Sequence, residues 1–233
     1  MNRFVFKPTR IVACLFMLAA LLLAHALTLR AVDADAVLAG WFASQTNLHT
    51  WSAEFTQTRT LKALSQPLQT TGRIWVALPD RFRWELGDPP QTVAVRRGDE
   101  LVIAYPRLKR AERYALGGSQ PKPWKDALAL LDAGFPRSRA ELEKHFRVTS
   151  VTQTNATYLI ALQPRAAATR HFLPEIQVSL ATNDFSLQAT QVGFPDGSTL
   201  RNDYRAAQVN PAMDDARFAP PLDADFKVTE PAP

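Results

Sequence analysis

Six segments between Trp51 and Leu116 alternate apolar with polar side chains, and short joints separate them. A period of two is typical of β-strands with one buried face, because successive strand side chains point to opposite sides of a sheet. The joints carry residues that favour turns, namely Pro79-Asp80, Asp88-Pro89-Pro90 and Arg97-Gly98-Asp99. Closely spaced strands with short turns predict an antiparallel meander.

The alternation returns after Arg147 in five more segments, RVTSVTQT, TYLIALQP, EIQVSLA, SLQATQVGF and TLRNDYRAAQV, which gives about eleven strands. Three stretches have helical character instead: VLAGWFASQ behind Asp33 or Asp35 as a cap, WKDALALLDAG, and SRAELEKHF with capping-box spacing. A sheet of this size must bury its apolar face, and few but amphipathic helices favour a curved sheet with a helical cover.

The first 31 residues have the parts of a secretory signal: a basic start, the apolar run IVACLFMLAALLLA and the small-x-small site Ala24-His25-Ala26. An uncleaved membrane anchor is the alternative, because the run from Ile11 to Leu29 holds no formal charge. We therefore predict a signal peptide or anchor over residues 1–31, export to the periplasm, with anchoring in the inner membrane as the alternative, and a single domain over 32–233.

The net charge of +5 does not indicate a nucleic-acid partner. Four of the 27 basic residues lie in the first thirty positions, so 23 basic side chains face 22 acidic ones in the remainder. The only cysteine, Cys14, also lies in the first segment. The exported domain is therefore expected to have neither a disulfide nor a thiolate metal site.

Catalysis finds little support in the sequence. His49, His145 and His171 have neither metal-ligand spacing nor a nucleophile motif beside them, and no Gly-x-Ser-x-Gly elbow or phosphate-binding loop occurs. We therefore predict a protein that is not an enzyme and that has no catalytic residue, metal or cofactor.

One face of the hairpin from Thr71 to Pro90 is unusually apolar and aromatic. Its alternate positions carry Ile74, Val76, Leu78, Phe82, Trp84 and Leu86. Such positions are usually ordinary core. A wide barrel, however, leaves room for an apolar ligand that its own side chains cannot fill. The alternation alone leaves both interpretations open.

Several motifs along these segments resemble the periplasmic outer-membrane lipoprotein carriers of the LolA type. They are Phe55-Thr56-Gln57, Gly72-x-Ile74-Trp75-Val76 with Pro79 behind it, Phe82-x-Trp84, Tyr105-Pro106, and Ala216-Arg217-Phe218-x-Pro220-Pro221 before a last apolar strand around Phe226 and Val228. The resemblance implies a mainly β fold with short α-helices, an unclosed antiparallel β-barrel (half-barrel) of about eleven strands covered by a helical lid.

The resemblance also implies a function. A carrier of this type binds the acyl chains of lipoproteins, or a related lipid, in an apolar cavity and moves them from the inner to the outer membrane. The implied cavity residues are Phe55, Ile74, Val76, Leu78, Phe82, Trp84, Leu101 and Ile103, and the implied lid residues are Trp41, Leu128, Leu131 and Phe135. The implied partners are an acylated lipoprotein or lipid cargo, an inner-membrane ABC release complex and an outer-membrane acceptor, for a monomeric carrier.

Leu78 departs from the family pattern, because well-studied carriers have at this position an arginine that hydrogen-bonds to the lid. Either another polar contact holds the lid here, or the cargo differs. Two further functions remain alternatives: a non-catalytic sensor or scaffold for lipoprotein or lipid with the same fold, and a secreted hydrolase. A basic outer surface is expected on the central hairpins, either as a docking site for an acidic partner or anionic headgroups or as a solvated face, from Arg81, Arg83, Arg96, Arg97, Arg107, Lys109, Arg110 and Arg113.

Overall fold

The computed structural model describes residues 32–116, 128, 131 and 133–230. The predicted signal or anchor over 1–31 and most of the predicted helix WKDALALLDAG lie outside the described residues. None of the helices in the described ranges is long and apolar enough to cross a membrane.

Twelve strands in the described part of the chain form one sheet. They are β1 Thr50–Thr60, β2 Leu68–Ala77, β3 Arg81–Leu86, β4 Thr92–Arg97, β5 Glu100–Tyr105, β6 Arg110–Ala115, β7 Phe146–Thr154, β8 Thr157–Pro164, β9 Glu175–Ala181, β10 Leu187–Gly193, β11 Thr199–Val209 and β12 Lys227–Thr229. Their order is β12-β6-β5-β4-β3-β2-β1-β11-β10-β9-β8-β7. The predicted meander and the mainly β, unclosed architecture are confirmed, since β12 and β7 end the sheet without pairing with each other.

Every neighbouring pair of strands is antiparallel except β12 with β6. β12 runs parallel to β6 because the chain returns across the sheet before adding its last strand. The left-handed backbone of Asn210 (φ 54°) begins this return. Its side chain accepts hydrogen bonds from the backbone N–H groups of His49 and Thr50 (2.8 and 3.2 Å), which fixes the end of β11 against the start of β1.

Three short helices with both ends in the described ranges accompany the sheet: α1 Ala34–Gln45, α2 Arg139–His145 and α3 Ala167–Phe172. Asp33 caps α1 by accepting from the backbone N–H groups of Asp35 and Ala36. Ser138 caps α2 by accepting from the N–H of Glu141 at 3.1 Å, while the Glu141 carboxylate accepts from the N–H of Arg137. The predicted start of α2 is therefore confirmed, with the reciprocal bond shifted by one residue.

Two elements correct or complete the sequence expectations. α3 was not predicted, because it has only six residues and no side-chain cap. In the stretch predicted as the second helix, Leu128, Leu131, Ala133 and Gly134 are helical and Phe135 is not. Gly134 therefore ends this helical segment as expected from the sequence.

The C-terminal segment from Asn210 to β12 covers one face of strands β2 to β6. This outer face is a compact apolar cluster of Ala77, Val93, Val95, Val102, Ala104, Ala111 and Phe218. Phe218 lies in the 3-10 turn Asp215–Phe218 of the C-terminal segment. Its side chain packs into the cluster and is only 1% exposed. The opposite face of the same strands is called the inner face below.

The expected basic outer surface is largely neutralised by ion pairs. Arg81 pairs with Asp215 and Lys109 with Asp223, both carboxylates of the C-terminal segment. Within the sheet three more pairs form, Arg83 with Glu85, Arg110 with Glu112 and Arg113 with Glu100. Arg96 and Arg110 lie on the inner face instead, because Arg96 is the cross-strand partner of Phe82 and Leu101 and Arg110 is the partner of Tyr105, two residues after Ile103. The expectation that all eight residues form a basic outer surface was therefore wrong for these two.

Candidate functional site

Strand register places seven of the proposed cavity residues on the inner face. One cross-strand row runs from Ile74 through Trp84 and Ala94 to Ile103. The next row contains Val76, Phe82, Arg96 and Leu101. Phe55 on β1 also points to this side, since its ring lies 4.5 Å from the ring of Trp84, centroid to centroid. These residues form one continuous apolar surface across five strands.

Gly72 is required for the packing of Phe55. The two residues are cross-strand partners, and a Cβ atom built at position 72 would lie 2.3 Å from the Phe55 ring and 2.3 Å from the carbonyl oxygen of Glu85. No side chain fits such a distance. The glycine of the Gly72-x-Ile74-Trp75-Val76 motif therefore lets an aromatic ring lie flat over the strand.

Most of this surface is packed as core in the structure. Phe55, Ile74 and Ile103 are fully buried, and Leu101, Val76 and Phe82 are at most 5% exposed. Trp84 and Leu78 are half-buried. The inner face is thus closed over much of its area.

A cavity of about 140 Å³ remains at one end of the inner face. Strands β2 and β3 contribute Val76 and Phe82, and the turn between them contributes Leu78. The opposite wall is Leu131, Phe135, Leu142 and Phe146. The cavity therefore brings together three of the proposed cavity residues and two of the proposed lid residues, and Phe135 also makes an edge contact with Trp51 at 5.2 Å.

The mouth of the cavity is polar. It is lined by Asp80, Arg81, Arg96, Arg137, Glu141 and His145. Of these, Arg137, Glu141 and His145 were not singled out as site residues from the sequence, because their neighbourhood depends on how the segment before α2 folds back over β2 and β3. Leu78 adds apolar surface to the cavity.

The two other proposed lid residues do not line this cavity. Trp41 on α1 is fully buried and stacks on Phe42, and within the described ranges its indole N–H has no hydrogen-bond partner. Leu128 is half-buried. α1 and α2 are joined by an ion pair between Asp35 and Arg139. This pair is an exposed polar contact between the two helices, of a kind that contributes little stability.

A polar cluster that the sequence did not reveal lies on the inner face of β1, β10 and β11. Gln57 donates to the side-chain oxygen of Asn202 at 3.1 Å, and the hydroxyl groups of Thr190 and Tyr204 are 2.9 Å apart. Asn202 is fully buried. Burial raises the pKa of Tyr204 to about 12; the hydrogen bond with Thr190 opposes this effect and the nearby Asp203 adds to it. The phenol therefore stays neutral at any physiological pH.

The raised pKa of Tyr204 predicts a loss of stability in alkali. Because the unfolded chain ionises this group near pH 10 and the folded protein only near pH 12, the stabilisation is fully present below pH 10 and falls as the pH rises towards 12. Urea unfolding between these pH values should show a smaller loss for Tyr204→Phe than for the wild type. Tyr158→Phe, at another tyrosine, is the control and should follow the wild type; equal slopes for all three proteins would contradict the prediction.

The comparison with protein families decides the identity of the fold. The family model for the outer membrane lipoprotein carrier protein LolA matches residues 46–221. The chain belongs to this family. The resemblance seen in the sequence motifs is thereby confirmed, and since the LolA family is a family of carriers without catalytic activity, so is the prediction that the protein is not an enzyme. The LolA family is periplasmic, and lipoproteins are its cargo.

Individual LolA relatives are distant in sequence. The outer-membrane lipoprotein carrier protein of Dechloromonas aromatica is 24% identical over 181 residues, covering 77% of this chain and 81% of the relative. That of Chromobacterium violaceum is 26% identical over 178 residues, covering 76% and 80%. The crystal structure of a LolA superfamily protein from Nitrosomonas europaea has a TM-score of 0.44 at 9% identity, covering 82% of this chain and 99% of the other.

Proposed function

We propose that this protein binds the acyl chains of a lipoprotein, or of a related lipid, between its inner face and its lid residues, and carries them through the periplasm from the inner to the outer membrane. Its partners in this proposal are an inner-membrane ABC release complex and an outer-membrane acceptor. The carrier works as a monomer. The signal at residues 1–31 directs its export.

The observation that carries the proposal is the cavity between two apolar walls from different parts of the chain. Val76 and Phe82 belong to the rigid sheet, whereas Leu131 and Phe135 belong to the connection between β6 and α2. Separating these walls extends the cavity along the inner face without breaking a strand pair. Family membership supports a carrier function, because lipoproteins are the cargo of the LolA family.

The volume of the cavity indicates a closed state. About 140 Å³ is close to the roughly 150 Å³ of an engineered apolar cavity that holds a benzene molecule, which is far less than a lipid with two acyl chains requires. Uptake must therefore open the lid. Burying a side chain such as Leu or Phe is worth about 1.5–3 kcal/mol and burying a methylene about 0.8 kcal/mol. Roughly two to four acyl methylenes can thus offset the loss of one lid side chain from the inner face.

This exchange explains how a carrier both binds and releases. The apolar area that the lid covers in the empty protein is covered by acyl chains in the loaded protein, so the net free energy of binding is much smaller than the gross burial. A partner that offers acyl chains another apolar surface can then take the cargo.

Native mass spectrometry of the protein purified from an envelope fraction tests the proposal. We expect an acylated mass that mild organic extraction removes, and uptake of an added diacyl peptide by the extracted protein. A clean apo mass together with failure to take up the diacyl peptide would overturn the proposal. The mass of the purified chain also reports whether residues 1–31 have been removed.

A further inference from the structure

A second concave site lies beside the edge strand β7. This hollow, of about 340 Å³, is lined by Arg147, Gln163, Pro164, Arg165 and Arg170. Arg147 and Gln163 are cross-strand partners on β7 and β8, Arg165 follows β8 directly, and Arg170 lies on α3. The hollow shares no residue with the acyl cavity.

The three guanidinium groups are held in place by uncharged oxygens. Arg147 donates to the side-chain oxygen of Gln163 at 2.7 Å and Arg165 to the carbonyl oxygen of Phe146 at 3.3 Å. Arg170 donates to the carbonyl oxygens of Pro164, at 3.0 Å, and Arg165. Each guanidinium has five N–H donors in a fixed plane, so each keeps several donors free after these contacts.

No carboxylate neutralises these arginines within the described part of the chain. Eight other arginines do have a carboxylate within 4 Å: Arg73, Arg81, Arg83, Arg110, Arg113, Arg139, Arg201 and Arg205. The hollow therefore concentrates three positive charges whose like-charge repulsion is not relieved by the protein itself. An anion in the hollow would relieve that repulsion.

We propose that this hollow binds a phosphate group. The planar guanidinium group of arginine can donate two parallel hydrogen bonds to two oxygens of one phosphate. Three arginines also carry more positive charge than one carboxylate can neutralise. A phosphate carries several equivalent acceptor oxygens and can contact all three side chains together. The sources of such a group are a phospholipid headgroup and a free phosphate, which share this chemistry.

The surroundings are compatible with a headgroup at a membrane surface. Phe172, two residues after Arg170, is 58% exposed, an unusual state for a large aromatic side chain. An exposed phenylalanine is suited to the boundary between headgroups and acyl chains. Such a contact would let the carrier touch an anionic leaflet through a site that shares no residue with the acyl cavity.

The test uses the full chain purified from the envelope and a variant with Arg147→Gln, Arg165→Gln and Arg170→Gln. The matched control is Arg110→Gln, Arg201→Gln and Arg205→Gln, which removes the same three charges from arginines that pair with carboxylates. Binding is measured by calorimetric titration with inorganic phosphate, and by co-sedimentation with phosphatidylcholine vesicles with or without phosphatidylglycerol.

We expect the site variant to bind about a hundredfold more weakly than the control, at roughly fivefold per arginine. Arg147→Gln alone, at an exposed residue, should lose about fivefold and keeps the test decisive if the triple variant does not fold. Binding to phosphatidylglycerol vesicles alone identifies a headgroup as the ligand, and binding to inorganic phosphate alone identifies a free phosphate. Equal binding by the site and control variants, or no binding of either probe by the wild type, would overturn the proposal.

Discussion

Leu131→Glu is expected to remove acyl-chain binding, with an affinity at least about a hundredfold below that of the wild type. Leu131 lines the cavity opposite Val76 and Phe82 and is itself only partly buried, so the chain can fold with glutamate there. Placing an ionised carboxylate against an acyl chain costs several kcal/mol. The lining of the cavity also contains Arg96 and Arg137, whose positive charges attract the new carboxylate.

Displacement of a fluorescent fatty-acid probe measures this effect, and circular dichroism reports whether the fold is kept. Leu108→Glu is the matched control, since Leu108 is 70% exposed in the 3-10 turn after β5 and lies far from the cavity lining. We expect the control to bind as the wild type does. A folded Leu131→Glu variant with wild-type affinity would show that the acyl chains bind elsewhere.

Much of the fold could be predicted from the sequence because its strands are joined by short turns. The cross-strand pairs Ile74 with Trp84 and Val76 with Phe82 follow directly from the alternation on both sides of the Pro79-Asp80 joint. In such hairpins the loop length fixes the register, and a slip of one residue would expose the whole apolar set. Local chemistry also fixed the helix starts at Asp33 and Ser138.

The contacts that join distant segments could not be predicted in this way. The alternation could not predict that the C-terminal segment would return over the outer face, since Phe218, which fills the cluster there, is separated from Ala77 by more than a hundred positions. The ion pairs of Arg81 and Lys109 with Asp215 and Asp223 have the same origin. The pairing of these two basic residues therefore could not be predicted, because their carboxylate partners are far away along the chain.

The choice between cavity and core could not be made from periodicity for a different reason. Phe55 and Ile103 are fully buried whereas Leu78 is not, yet all three belong to the same set of alternate apolar positions. What distinguishes them is the lid: one end of the inner face meets Leu131 and Phe135 across a gap and the remainder is packed. In a carrier that opens, the same side chains serve as core in one state and as binding surface in the other.

Phe218→Ala is expected to lower the free energy of unfolding by about 3–5 kcal/mol, the range for truncating a buried phenylalanine. Phe218 is 1% exposed among Ala77, Val95 and Val102, and Trp75 packs against the same cluster. Removing its ring leaves a cavity and loosens the C-terminal segment, which keeps the packing of Met213, Leu222 and Phe226, the pairing of β12 with β6 and exposed ion pairs of small value. Urea unfolding followed by tryptophan fluorescence measures the change.

Phe172→Ala is the control for this truncation, because it removes the same ring from a side chain that is 58% exposed. It should change the free energy of unfolding by less than about 0.5 kcal/mol. The same comparison separates the two faces of the sheet. Since Phe218 packs on the outer face, folded Phe218→Ala protein should still bind the acyl probe with nearly wild-type affinity, unlike Leu131→Glu. A loss of stability below about 1 kcal/mol would mean that the C-terminal segment does not depend on this anchor, and a loss of acyl binding would mean that the outer face supports the cavity.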